Sequence, residues 1–219
     1  MPQIVIVALE TSTEACSVAA YRDGEMHHRT EEVPRRHTAR LLPMLEAVMA
    51  EAGVAASAVD AVAYGRGPGA FAGVRLAASV AQGLCTGWSV PALPVSTLAA
   101  LANGARRRHG AERVLAALDA RMGQVYCGAF VAAEGGGMAL QGAEAALEPE
   151  AVSGGGAAWF GIGRGFAAYP EALPATGAGR DPDALPQARD LLPAALADWG
   201  AGRVTPAEAV RPVYLREGV

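Results

Sequence analysis

Short apolar runs, each closed by a polar or glycine-containing turn, set the order of elements along the chain. Ile4 to Leu9 is apolar throughout and ends in Glu10-Thr11-Ser12-Thr13. Cys16 to Tyr21 is a second run, closed by Arg22-Asp23-Gly24, and Glu25 to Val33 alternates weakly, polar enough to expose one face. Two hairpins in succession follow, a three-stranded antiparallel start. From about Thr38 to Ala52 the period changes: Leu41, Leu42, Leu45, Val48, Met49 and Ala52 form an apolar stripe of helical spacing. Gly53 is placed to end that helix. Pro43 has to lie in its first turn or kink it, because proline lacks the N–H that an interior position supplies.

The next apolar run, Val59 to Tyr64, breaks on Gly65-Arg66-Gly67-Pro68-Gly69 and continues without breakers for a helical length. This is strand, tight glycine turn, helix. In the helix Gly73, Ala77, Ala81 and Cys85 recur every four residues as a stripe of small side chains, beside a bulkier face of Leu76, Val80 and Leu84. Such a stripe lets a neighbouring helix or sheet approach closely, and the neighbour can belong to this chain or to another. A short strand, Ala92 to Val95, leads to a further helix from Ser96 to about Arg108, with Ser96 or Thr97 as N-cap.

The pattern then restarts. Val114 to Phe130 repeats the opening layout: an apolar strand ending in one carboxylate, Asp119, then a short polar turn and a second apolar strand. Glu10 and Asp119 stand about half the chain apart, which suggests two similar α/β halves, residues 1–109 and 110–219. Residues 132–157 hold two glycine triplets and read as a loose stretch with at most short strands. Trp159 to Gly163 reads as a strand entering a glycine turn, Asp183 to Trp199 as a helix interrupted by Pro186 and Pro193, and Pro212-Val213-Tyr214-Leu215-Arg216 as an apolar tail that docks back.

A glycine turn opening a helix raises the question of a phosphate, because free N–H groups at a helix N-terminus favour an anion. Gly65 to Ala70 fits the dinucleotide spacing, but no Asp or Glu occurs between Asp60 and Glu112 to hold a ribose. A Walker-type loop needs lysine, and all 18 basic residues are arginine. The other reading is a turn that packs a helix tightly on its sheet. Glu10 and Asp119 could face each other around a magnesium-bound nucleotide, or each could cap backbone N–H groups of its own turn.

Composition narrows the class. With 52% hydrophobic and 18% charged residues the chain can bury a core. A net charge of −4 gives no electrostatic case for independent nucleic-acid binding, and Arg106-Arg107-Arg108-His109 reads as a solvated helix end. The four histidines form no H-x-x-x-H or H-E-x-x-H pair, there is no G-x-S-x-G elbow, and lysine chemistry is unavailable. Three cysteines in apolar runs read as buried thiols. Met1-Pro2-Gln3 shows no leader pattern, and no window reaches the roughly 18 apolar residues of a membrane span, so a cytoplasmic protein is expected.

Five stretches resemble one family in register: Glu10-Thr11-Ser12-Thr13-Glu14-Ala15-Cys16-Ser17-Val18-Ala19; Arg36-His37-Thr38 followed by Leu41-Leu42-Pro43-Met44; Gly65-Arg66-Gly67-Pro68-Gly69 through Gly73-Val74-Arg75-Leu76; Leu118-Asp119-Ala120-Arg121-Met122-Gly123-Gln124-Val125-Tyr126; and Pro212-Val213-Tyr214-Leu215-Arg216. The chain is similar to the TsaB family of bacterial threonylcarbamoyladenosine biosynthesis proteins. The resemblance implies an actin/Hsp70-type ATPase architecture of two duplicated ribonuclease-H-like halves with mixed sheets flanked by helices. It implies a non-catalytic paralogue of TsaD, the subunit that transfers the threonylcarbamoyl group to the adenosine beside the anticodon of certain tRNAs. TsaD carries a metal-binding H-x-x-x-H, which this chain lacks.

The same resemblance implies pairing with TsaD, or with a second copy, through the first two helices of the N-terminal half. Carried over, the partner residues are His37, Leu41, Leu42 and Leu45 on one helix and Gly73, Val74, Ala77 and Ala81 on the next. Glu10, Thr11, Ser12 and Asp119 are left as a degenerate nucleotide site, with no catalytic residue, metal or cofactor of the chain's own. TsaE is expected in a larger assembly, and tRNA only through the complex. The first carboxylate is usually Asp in this family, and Glu10 would crowd a phosphate or magnesium ion. The competing expectation is an independent actin/Hsp70-type magnesium-dependent ATPase using Glu10 and Asp119. Metallopeptidase activity has no metal-ligand pair behind it.

Overall fold

Residues 4–153, 156–174 and 176–216 are described by the computed structural model. The first apolar run forms β1 (Val5–Glu10), all six residues buried, and the next two form β2 (Ala15–Arg22) and β3 (Glu25–Glu32). They pair antiparallel, with Glu10 opposite Ser17. Beyond the helix α1 (His37–Glu51), β4 (Ala61–Gly65) returns parallel to β1, and after α2 (Phe71–Trp88) the strand β5 (Ala92–Val95) runs parallel to β4. The sheet order is β3-β2-β1-β4-β5.

The second half repeats that plan. Past α3 (Thr97–His109) come the antiparallel strands β6 (Arg113–Arg121), β7 (Gln124–Ala132) and β8 (Met138–Leu147). They are followed by the parallel strands β9 (Phe160–Ile162), separated from the last by α4 (Gly165–Ala168), and β10 (Arg180–Asp181). The sheet order β10-β9-β6-β7-β8 is the first sheet's order read from the other edge. Two copies of one mixed-sheet unit are the two similar α/β halves expected from the echo of Glu10 and Asp119.

Side-chain alternation in the central strands assigns the layers. Val5, Val7, Leu9, Val62 and Tyr64 point to the face covered by α1 and α2. Ile6, Ala8, Ala61 and Ala63 point the other way and share a core with α3 and with Val114, Ala116, Phe130 and Ile162 of the second sheet. Helix α3 is therefore held between the sheets, and its residues Thr97 to Ala105 are all buried. Ser96 caps it, its hydroxyl accepting from Leu98 N (3.1 Å) and Ala99 N (3.4 Å). The outer face of the second sheet is covered by α4 and loops over Leu115, Ala117 and Val125.

Local differences from the sequence expectations have physical causes. Pro43 lies in the second turn of α1 rather than its first, exposed, and the helix runs on through it. Gly53 does end that helix, at φ +61°: its N–H donates to Ala50 O and that of Val54 to Met49 O (2.9 Å). The stretch read as loose contains β8, ten residues of which half are alanine or glycine and whose strand character comes from pairing with β7 rather than from hydrophobic alternation. Asp183 to Trp199 is not one interrupted helix. A 3-10 turn at Ala188–Asp190 is followed by α5 (Leu192–Gly200), which Pro193 starts rather than breaks.

The tail does dock back, and onto both halves. Ala92 and Thr205 exchange backbone hydrogen bonds, Tyr64 Oη donates to Arg211 O (3.0 Å), and Val213 N donates to Arg66 O (2.8 Å). Arg216 reaches Ala120 O and Gln124 Oε1 at the second sheet. The basic end of α3 is tied into the protein: Arg107 makes a two-pronged ion pair with Asp190, and Arg108 and His109 meet Asp181. Burial holds the three thiols in their protonated form, pushing those of Cys16 and Cys85 up to about 11 and that of Cys127 upward.

A closed nucleotide position and two outward helices

At the end of β1 the chain turns through Thr11 and Ser12, both buried, and lays this turn across the start of α2. Ser12 O accepts from Ala70 N (2.7 Å), and Thr11 Oγ1 donates to Gly73 O (2.7 Å). The glycines are there to permit this approach. A Cβ at Gly73 would collide with Thr11 O, one at Gly69 with the backbone of Ser12, and one at Gly65 with the Glu10 carboxylate. Gly67, at φ +104°, faces the backbone of Val213. The space a phosphate needs at this turn is filled by the chain's own backbone.

Glu10 is fully buried beneath this turn. Its Oε1 accepts from Ser12 N (2.6 Å) and its Oε2 from Thr97 Oγ1 (3.3 Å). Burial raises its pKa above the ordinary carboxylate value, and the hydrogen bonds from Ser12, Thr97 and Thr11 pull it partly back. Asp119 repeats the motif in the second half: its Oδ1 accepts from Arg121 N (2.8 Å) and its Oδ2 pairs with the Arg121 guanidinium (3.1 Å). Each carboxylate thus binds the N–H two residues on, the turn-capping reading rather than the shared-cation one. A magnesium nucleotide, which the fold family implies here, does not fit these residues: Glu10 is sealed and the glycine cradle is occupied by Thr11 and Ser12. Among the described residues no three His, Cys, Asp or Glu side chains gather to hold a metal ion.

A carboxylate that sequence reasoning missed bridges the halves. The β7–β8 ladder is irregular between Cys127 and Ala129, and there Glu144 enters the molecule with its side chain 5% exposed. It accepts from the Ser96 hydroxyl and pairs with Arg66 of the glycine turn (3.3 Å). A bulge re-aiming a side chain in this way is invisible without knowing that β8 is a strand.

The expected partner residues divide into two groups. Leu41 and Leu45 on α1, and Val74, Ala77 and Ala81 on α2, are buried in the chain's own core. Their side chains seat the helices on the first sheet and are not available to a partner, which corrects the outward reading of the small stripe. Leu42 is 44% exposed, while His37 and Gly73 are half-buried. The outward faces are Thr38, Ala39, Leu42 and Glu46 on α1, and Ala72, Arg75, Ser79 and Gly83 on α2. Replacing Ala81 by Leu should therefore destabilise the isolated chain by roughly 1–3 kcal/mol through overpacking against the sheet. Thermal denaturation without any partner reads this directly.

The family model described as TsaD, tRNA N6-adenosine threonylcarbamoyltransferase, matches residues 26–156. The tRNA threonylcarbamoyladenosine biosynthesis protein TsaB of Escherichia coli (strain K12) is 43% identical over 98% of this chain and 95% of its own length. TsaB of Haemophilus influenzae is 40% identical over 100% of this chain and 96% of its own. Two solved structures, one described as YeaZ from Pseudomonas aeruginosa and one as an uncharacterized protein with similarity to peptidase YEAZ from the same organism, superpose with TM-scores of 0.92 and 0.93. Each is 50% identical and covers 97% of this chain and 100% of that one. The chain belongs to the family this model describes and, within it, to the TsaB proteins of tRNA threonylcarbamoyladenosine biosynthesis.

Proposed function

We propose that this chain is a non-catalytic partner subunit in tRNA threonylcarbamoyladenosine biosynthesis, which binds and organises the transferase TsaD through the outward faces of α1 and α2. The observation that carries this reading is the closed turn: a fold built to hold a nucleotide between its halves has Thr11 and Ser12 seated in the glycine cradle and Glu10 sealed below them. What is left for function is surface. The two long helices lie on one face of the first sheet, with Leu42 and the flanking polar residues turned to solvent. Alone, the chain pairs with a second copy through the same faces. TsaE joins the larger assembly, tRNA is met only through the complex, and the setting is cytoplasmic. Residues 1–109 carry the partner helices, and 110–219 form the second, reduced subdomain.

Light-scattering chromatography of the chain alone and with TsaD of the same organism, with ATPase turnover recorded on each peak, tests this. A mixed complex from a chain that is silent by itself is expected. Leu42→Glu should leave monomer stability within about 0.5 kcal/mol and weaken the complex at least about tenfold. Turnover of ATP by the isolated chain at roughly 1 per second, an ordinary enzyme rate, would sink the proposal.

A further inference from the structure

Phe71, Arg75 and Tyr214 form an exposed cluster on the flank of α2 that the closed turn does not use. The Phe71 and Tyr214 rings are 47% and 45% exposed and stack with centroids 5.8 Å apart. The Arg75 guanidinium lies 3.6 Å over the Phe71 ring, and its Nε donates to Tyr214 Oη (2.8 Å). Stacking and the hydrogen bond hold in place a side chain that is otherwise rich in rotamers, which lowers the entropy lost when it engages a ligand. Among the described residues no carboxylate pairs with Arg75 or Arg211. From this cluster a groove of about 410 Å³ runs between α2 and the returning tail, with Arg75, Ser79 and Gln82 on one wall and Arg211, Pro212 and Tyr214 on the other. Among the described residues its lining holds two cations and no acid, in a chain of net charge −4.

We infer that this groove receives an acidic side chain, Asp or Glu, of the TsaD partner, with Arg75 as the central contact. The inference rests on the partner-subunit reading and names the chemistry by which the partner is recognised. Charge complementarity selects an acid, and with Nε engaged by Tyr214 the two terminal nitrogens of Arg75 remain to grip both oxygens of one carboxylate. Arginine and tyrosine are enriched among the few residues that dominate protein–protein affinity. A nucleic acid is disfavoured, because its backbone would need a run of cations and the groove offers two.

Titration calorimetry of the full chain against TsaD of the same organism, at low and high salt, tests the inference with Arg75→Gln, Arg75→Glu and, on the opposite wall, Arg211→Glu. Arg75→Gln is expected to weaken binding at least about tenfold, Arg75→Glu more so, and both should flatten its salt dependence. Circular dichroism confirms that each variant is folded, and Arg211→Glu carries the test if an Arg75 variant is not. Wild type and Arg75→Glu binding TsaD within about twofold of each other, a difference too small for a hot spot, overturns this inference and leaves the partner-subunit reading standing. A wild-type chain that ignores TsaD overturns both. A tRNA transcript whose binding to the chain is abolished by Arg75→Gln, with TsaD binding unchanged, also overturns it by assigning the groove to RNA.

Discussion

Gly73→Ala is expected to destabilise the chain by roughly 3 kcal/mol, the upper part of the range for overpacking a filled interior. The sign is not given by helix propensity. Gly73 lies in the first turn of α2, where alanine normally stabilises a helix by about 0.5–1 kcal/mol relative to glycine. Against that gain stands the carbonyl of Thr11, which a Cβ at this position would strike. The obstacle is backbone, buried, and fastened to the same helix turn by the Thr11 hydroxyl on Gly73 O. Relief therefore requires the β1–β2 turn to lift, and with it the bond from Ala70 N to Ser12 O. Gly83, one helix face away, is the internal control: a Cβ there meets nothing within 4 Å, so Gly83→Ala should stabilise by about 0.5–1 kcal/mol. Thermal denaturation of the two variants should thus move in opposite directions, Gly73→Ala downward by about 6–12 °C for a chain of this size. A neutral Gly73→Ala would mean that the turn is free to rise and that the cradle can be opened.

That contrast bears on how much of the molecule is legible in the sequence. The first five strands, α2, α3 and its Ser96 cap follow from apolar period, glycine punctuation and capping chemistry, because each of those signals is local. The duplication was readable from the placement of Glu10 and Asp119, and the strand orders of the two sheets give it physical form. Strand β8 was not readable, because its four alanines and one glycine carry no alternation and its conformation is imposed by β7. With β8 hidden, Glu144 and its bridge to Arg66 and Ser96 were hidden too.

The stripe Gly73, Ala77, Ala81, Cys85 was legible as a close-packing surface and not as to what packs on it. Small side chains suit the chain's own sheet as well as a partner helix, and only the burial of Ala77 and Ala81 decides for the sheet. The glycine turn presents the same ambiguity. Its glycines announce a close approach, and the absence of lysine and of a downstream acid removes the common phosphate motifs. That the approaching group is the backbone of Thr11 and Ser12 is a tertiary fact with no local sequence signal.

Glu10 gives the second large effect, through pH. Its carboxyl is buried, and burial raises its pKa from the ordinary 4.5 in the folded chain, with hydrogen bonds from Ser12, Thr97 and Thr11 opposing the rise. Between 4.5 and the raised folded value the native state holds the proton more often than the unfolded chain does. Stability therefore falls as pH rises through that window and levels off above it. Glu10→Gln keeps the side chain's size and its oxygen on Ser12 N while removing the charge, so its denaturation midpoint in urea should lack this slope. Above the window the variant should be at least as stable as the wild type. Glu10→Ala should instead lose roughly 3 kcal/mol or more at every pH, because it orphans the buried Ser12 N–H and Thr97 hydroxyl, at about 1–3 kcal/mol each, and leaves a cavity. Urea titrations of the three chains between about pH 5 and 8 separate these outcomes. A slope unchanged in Glu10→Gln would assign the titrating group elsewhere and leave Glu10 ionised in the folded chain, and the ATPase reading, which needs that charge, would have to be reopened.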